Sequence, residues 1–336
     1  MYWLIYFLIL LIGSSSLIYF TARAHRANKA AITNLLLITL SIFLTCLALE
    51  FYFKVFYAET DGFKTLAREN WFDRYYNGTF NSLGFRDQEW PPEQVADKKK
   101  VMILGDSFVE GYGIKYPKDR FSNLLANKLG QNYVVFNVGR RGAGTLKEIK
   151  DLKEYPYKPD ILVLTYFIND IDNTAREHNI DGPTTMPYSP PALDPLLENS
   201  YAFNFFYWRA YRVLLYKQEA LRNDWRASAV KNPEVWAAHE QELQTIIDWS
   251  TENHVKLMLL IFPDLVQTDE TRYIVRPIIQ YFTKHQVPVL DVTPLLTNIP
   301  TNERIVSSLD PHPNEHLHAL IAEALYQKLH DLAFVP

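Results

Sequence analysis

At 336 residues, 48% of them hydrophobic and 14% aromatic, the chain is long enough to bury a full core with segments to spare. Its formal net charge of -4 leaves no basic footprint, which argues against nucleic acid as a partner. The one cysteine, Cys46, excludes an internal disulfide framework and any cysteine-built metal cluster.

In chain order, two apolar runs come first, 2–20 and 30–49, each about the 20 residues that a helix needs to cross a bilayer. No acidic residue precedes Glu50, and the basic residues Arg23, Arg26 and Lys29 all sit in the short connection between the runs. Cationic loops stay on the cytoplasmic side. The pattern therefore predicts a two-helix transmembrane hairpin over 1–55. Its N-terminus, and everything after about Phe53, would lie on the extracytoplasmic side, periplasmic or at the cell surface. A cleaved signal peptide fits less well, because Met1-Tyr2-Trp3 carries no positive charge and no small-residue cleavage pattern follows Phe20.

Residues 56–100 turn polar and broken, with Asn77-Gly78, Pro91-Pro92 and Lys98-Lys99-Lys100, and read as a neck with short local structure. From 101 to 336 the periodicity is that of an α/β domain. Strands are expected at 101–106, 133–138, 160–167, 256–262 and 287–291, and helices near 118–129, 144–153, 269–285 and 314–331. Apolar strands alternating with helices predict a mostly parallel sheet covered on both faces. The interval 171–255 breaks that rhythm with a Pro-rich loop and two helices, near 201–226 and 233–253, and is expected to be an inserted helical lid. Aromatic residues crowd 201–216, with Arg209, Arg212 and Lys217 among them, a composition that suits either packing as a lid or contact with lipid headgroups. Asp170 and Asp172 lack the glycine and distal glutamate of a calcium loop and read as solvated loop acids.

The chemistry-bearing residues fall at the predicted strand ends. Val101-Met102-Ile103-Leu104 runs into Gly105-Asp106-Ser107, a strand that stops at a tight turn and displays a serine where open α/β sheets place their ligand crevice. Such a hydroxyl is a nucleophile if a base lies within reach; otherwise Asp106 and Ser107 are turn and cap residues. Asn137-Val138-Gly139 follows the second strand, Asn169-Asp170 the third, and Asp310-Pro311-His312-Pro313 comes near the end.

Ser, Gly, Asn and His in this order resemble the SGNH, or GDSL, hydrolase family in its membrane-anchored bacterial form, over about 81–332. The resemblance implies a three-layer α/β sandwich with a five-stranded, flavodoxin-like sheet and no cofactor or metal. It implies Ser107 as nucleophile, with His312 as its base and Asp310 orienting the imidazole. The backbone N–H groups of Ser107 and Gly139 and the side-chain amide of Asn169 would form the oxyanion hole. Two departures stand out: the family commonly has Asp-x-x-His, whereas one residue separates Asp310 from His312, and its glycine before Asn-Asp is replaced, here by Phe167. Asp291 is the other carboxylate available to orient the base. The Asn81–Arg86 string also resembles a segment that precedes Gly-Asp-Ser in bacterial members.

A rival pattern, His312-x-x-Glu315-His316 with His318 nearby, is that of inverted zinc proteases. It needs both histidines on one continuous helix, which Pro311 and Pro313 oppose. The expected activity is thus an extracytoplasmic serine esterase working through a Ser107 acyl-enzyme, with O-acetyl groups of a cell-envelope glycan as a substrate class. The alternatives are an O-acyltransferase that acts on an extracytoplasmic polysaccharide with a membrane acyltransferase partner, and a non-catalytic SGNH-like assembly module.

Overall fold

The computed structural model describes residues 12–16, 18–20, 23, 29–61, 65–183 and 189–336, with backbone alone for 213–220. The longer elements, in chain order, are α1 (Lys29–Val55), α2 (Leu66–Trp71), β1 (Lys99–Gly105), α3 (Ser107–Glu110), α4 (Phe121–Leu129), β2 (Tyr133–Gly139), α5 (Thr145–Glu154), β3 (Ile161–Phe167) and α6 (Ile171–Glu177). They continue with α7 (Tyr201–Lys231), α8 (Pro233–Glu252), β4 (Lys256–Phe262), α9 (Arg272–Lys284), β5 (Val289–Asp291) and α10 (Glu315–Asp331). Contacts divide the chain into two compact units, one of Met1–Glu59, Phe63–Asp73 and Met186–Val213, the other of Thr60–Gly62, Arg74–Thr185 and Leu214–Pro336.

In the first unit, α1 is apolar on all faces. Its stretch Ala30–Val55 has an apolar window with a mean hydropathy of 2.3 and no buried residue, so it is long and apolar enough to cross a bilayer. The hydroxyls of Thr39 and Thr45 donate to the carbonyls of Leu35 and Ser41, at 2.9 and 2.8 Å, which satisfies them without water. One such helix is described where sequence predicts two. The run 2–20 lies mostly outside the described residues. Near the end of α1, the buried carboxylate of Glu50 accepts from Tyr201 N–H (2.7 Å), Ala202 N–H (3.0 Å) and Ser200 Oγ (2.9 Å), supplying the capping acceptor that the first turn of α7 needs. Phe205 stacks on Phe53 at 4.0 Å between ring centroids. Of the aromatic stretch, the side chains of Tyr216 and Lys217 lie outside the described ones.

The second unit is built on five parallel strands in the order β2-β1-β3-β4-β5, a sheet in which the second strand moves to the outer edge of the first before the chain crosses back. Successive side chains alternate faces. Met102, Leu104, Leu162, Leu164, Leu257 and Leu259 join one core with Ile149 of α5, Leu243 and Ile246 of α8 and Ile278 of α9. Val101, Ile103, Val163, Met258 and Leu260 join the other with Phe121 and Leu125 of α4 and Leu317 and Ile321 of α10. Near-continuous apolar strands buried on both faces are what a parallel sheet between two helical layers requires. The stretch expected as one lid therefore divides: α8 belongs to a covering layer, while Met186–Val213 belongs to the first unit.

At the outer rim, Asp87 accepts the N–H of Asn137 at 3.1 Å and the indole N–H of Trp90 at 2.9 Å. The Asn81–Arg86 string forms a tight turn, with Asn81 Oδ1 accepting from Leu83 N–H (3.1 Å) and Phe85 N–H (3.0 Å).

Candidate active site

The end of β1 displays Ser107. Asp106 caps α3, its Oδ1 accepting Phe108 N–H at 2.9 Å, and this holds Ser107 at the first helical position, where a backbone N–H has no partner within the helix. Burial pushes the Asp106 carboxyl up from its ordinary range, against hydrogen bonds from Phe108 and Asn169 and the nearby charge of His312.

His312, the candidate base, is carried on a closed loop before α10. Ser307 N–H donates to Asp310 O (3.0 Å), Val306 N–H to His312 O (2.9 Å), and Ile305 bridges Pro313 in antiparallel fashion. Within this loop Asp310 Oδ1 accepts both the backbone N–H of His312, at 3.1 Å, and its ring Nδ1, at 2.5 Å. His312 Nε2 then lies 2.9 Å from Ser107 Oγ. With Nδ1 carrying the proton shared with the carboxylate, Nε2 is left as the acceptor that faces the hydroxyl. Burial alone would lower the pKa of His312, but the charge and hydrogen bond of Asp310, with Asp106 and Glu110 behind it, outweigh burial and raise it. Asp291, the other carboxylate considered, caps a local turn instead, accepting Thr293 N–H at 2.8 Å.

Gly139 requires a correction. Its N–H already donates to Asn137 Oδ1 at 3.2 Å, and a Cβ there would sit 2.1 Å from Glu110 N. The glycine lets β2 press against the backbone that follows Ser107, and its own N–H is spent. Three residues on, in the turn closed by Ala143 N–H to Arg140 O (2.9 Å), Gly142 is exposed with φ +72° and open space around it. That turn is held beside the site, because Arg141 N–H donates to Glu110 Oε2 (2.6 Å) and its guanidinium lies over Tyr112, whose ring is 4.8 Å from that of His312. Asn169 lies near Asp106, whose pKa it helps to lower, and its own Oδ1 is buried without a hydrogen-bond partner. Its NH2 carries two donor protons. Phe167 stacks on Phe108 at 4.2 Å, and the Phe108 ring is 5.5 Å from His312.

The other histidines are placed differently. His318 is fully buried, its Nδ1 accepting Phe121 N–H at 3.0 Å, and burial lowers its pKa to about 3, so it is neutral. His316 is exposed on α10. Asp170 and Asp172, expected as solvated, are both buried: Asp172 receives two 2.9 Å hydrogen bonds from Arg226, and burial followed by repulsion from Glu148 and Asp106 pushes Asp170 well above the usual carboxylate range.

Two arginines had no role in the sequence reading. Arg86, buried at the end of the Asn81–Arg86 string, donates to Gly111 O (2.7 Å) and Lys115 O (3.1 Å), and Arg120 donates to Glu110 O (3.2 Å). Together they brace the loop that follows Ser107. Nothing in the local sequence marks either arginine as buried.

The model of the GDSL-like Lipase/Acylhydrolase family matches residues 103–320. Similar solved structures include a lipolytic protein of the G-D-S-L family from Desulfitobacterium hafniense DCB-2 (14% identity, 69% of this chain and 100% of that one, TM-score 0.43). The esterase EstA from Pseudoalteromonas sp. (13%, 70% and 100%, 0.42) and the acetyl xylan esterase AlAXEase (15%, 68% and 98%, 0.41) are comparable. The search of curated proteins returns no match.

Proposed function

The chain belongs to the GDSL-like lipase/acylhydrolase family of serine ester hydrolases, and from that premise we propose that it cleaves short acyl esters through a Ser107 acyl-enzyme, tethered to a membrane by α1. The observation that carries this reading is the 2.9 Å approach of His312 Nε2 to Ser107 Oγ, with Asp310 behind the imidazole. His312 takes the hydroxyl proton as Oγ attacks the ester carbonyl, then returns it to the departing alcohol oxygen as the C–O bond breaks. A water deprotonated by the same nitrogen frees the acid and restores Ser107. The negative oxygen in each step is met by Ser107 N–H, the Asn169 amide and the Arg140–Ala143 turn in place of Gly139, each donor contributing roughly 3 to 4 kcal/mol.

Acetyl is the acyl group that the Phe108–Phe167 stack favours, since a ring fills space that a glycine would leave open beside Asn169. O-acetyl groups on an extracytoplasmic envelope glycan are the substrate class, with the orientation argued from Arg23, Arg26 and Lys29. Mass spectrometry of the purified full chain after incubation with an acetyl ester tests this. One acetyl group on the Ser107 peptide, absent in Ser107→Ala, is the expected result. No adduct and no turnover would make the domain a non-catalytic module. Acetyl recovered on an added glycan and not as free acid would make it a transferase.

A further inference from the structure

Asp310 is fully buried, so both of its carboxylate oxygens need donors from the protein. Oδ1 is occupied twice within its own loop, by the backbone N–H and the ring Nδ1 of His312. A carboxylate two residues before a backbone N–H ordinarily settles into a local turn. With Pro311 alone between them, Asp310 must make that turn and also hold the imidazole, and rotation about its Cβ–Cγ bond would satisfy one demand at the expense of the other. Oδ2 is where that rotation is resisted. It accepts the hydroxyl of Thr60, from 250 residues earlier in the chain, and among the described residues no other donor reaches it.

We propose that Thr60 is a positioning residue of the triad, fixing the plane of the Asp310 carboxylate so that Oδ1 stays on His312 Nδ1. Thr60 is itself buried, five residues beyond the end of α1 and outside the 103–320 stretch that matches the family. Its neighbour is pinned by the site: Tyr112 Oη donates to Asp61 O at 3.0 Å, and the Tyr112 ring also flanks His312. The enclosure is tight, since a Cβ on Gly113 would lie 3.0 Å from Asp310 Oδ2 and 3.2 Å from Thr60 Oγ1. The family-like domain therefore takes one of its working hydrogen bonds from the segment that joins it to the apolar helix.

The proposal rests on the triad reading above, and the full chain in detergent separates the two. Ser107→Ala should be inactive; if it turns over like wild type, the triad reading falls and the role of Thr60 with it. Given an inactive Ser107→Ala, Thr60→Val should lower kcat about ten- to a hundredfold per folded molecule, leave KM for a short-chain ester unchanged and move the acid limb of kcat/KM to lower pH. Thr60→Ser should restore kcat to within about threefold of wild type. Thr60→Cys, close to serine in size but a weak donor, should fall with the valine variant and gives the same comparison if valine does not fold. Wild-type kcat and an unmoved acid limb in Thr60→Val, or equal activity in Thr60→Cys and Thr60→Ser, overturns the assignment. A lowered melting temperature alone, with kcat per folded molecule unchanged, overturns it too.

Discussion

Asp310 Oδ1 and His312 Nδ1 meet at 2.5 Å across one intervening residue, so the short spacing is accommodated by a loop that folds the carboxylate back onto its own imidazole. Asp310→Asn should then cost about 10⁴ in kcat, as the same change does in a comparable triad, while Asp291→Asn should cost little. The pH profile gives the second readout. The base works as neutral imidazole, so kcat/KM rises with pH through the His312 pKa, and the midpoint should lie above the ordinary 6.5 because Asp310 raises it. In the asparagine variant burial is left with less opposition, and the midpoint should fall. A profile that does not move on Asp310→Asn would mean that another group orients the base.

Phe167→Ala tests the acyl side of the pocket. Removing the ring that stacks on Phe108 opens space beside Asn169, so the variant should gain on octanoyl relative to acetyl esters, by about 10-fold or more in the kcat/KM ratio. An unchanged chain-length preference would place the acyl group elsewhere.

The strands were legible because four of them are apolar runs closed by a polar or small residue: 101–106 is observed as Lys99–Gly105, and 256–262 as Lys256–Phe262. Ser107, Asn169 and His312 stand out as candidates because each lies at a strand end or beside prolines that stop a helix. What stayed hidden were charges whose partners are remote. Glu50 reads only as the first acid after the apolar runs, yet it caps a helix 150 residues away, and Asp172 reads as a solvated acid until Arg226 is folded against it. Gly139 misled for a different reason. A glycine at a strand end fits either a donor to substrate or a contact with backbone, and what the Asn137 side chain accepts decides between them.

His318→Asn addresses acid stability. Asparagine keeps an acceptor for Phe121 N–H but cannot titrate. In wild type the folded pKa is depressed to about 3, so between 6.5 and about 3 the unfolded chain binds the proton that the folded one refuses. Stability is full above 6.5 and falls with pH through that window, by about 1.4 kcal/mol per unit. Urea titrations at a series of pH values should show a shallower fall in the variant by that slope. Parallel curves would mean that His318 is protonated in the folded protein.

Gly139→Ala and Gly142→Ala should separate packing from catalysis. A methyl at 139 lies on the backbone of Val109 and Glu110, at 2.6 and 2.1 Å, and should cost about 3 kcal/mol of stability. At 142 there is room, so the cost is the left-handed backbone, about 1 kcal/mol, and the larger effect should be on kcat. Thermal melts alongside turnover would settle it; a stable, fully active Gly139→Ala contradicts the packing described here.

The carboxylate of Asp87 on Asn137 N–H also bears on self-association. Parallel sheets fail as solutes when a rim strand shows a row of unpaired peptide groups to a second copy, which can then add in register and start a fibre. Along β2 three of the four outward N–H groups, those of Tyr133, Asn137 and Gly139, are taken internally, by Gly130 O (3.2 Å), Asp87 Oδ2 (3.1 Å) and Asn137 Oδ1 (3.2 Å). The opposite rim, β5, is only three residues long. Neither side of the sheet offers a long run of open peptide groups for a second copy to extend.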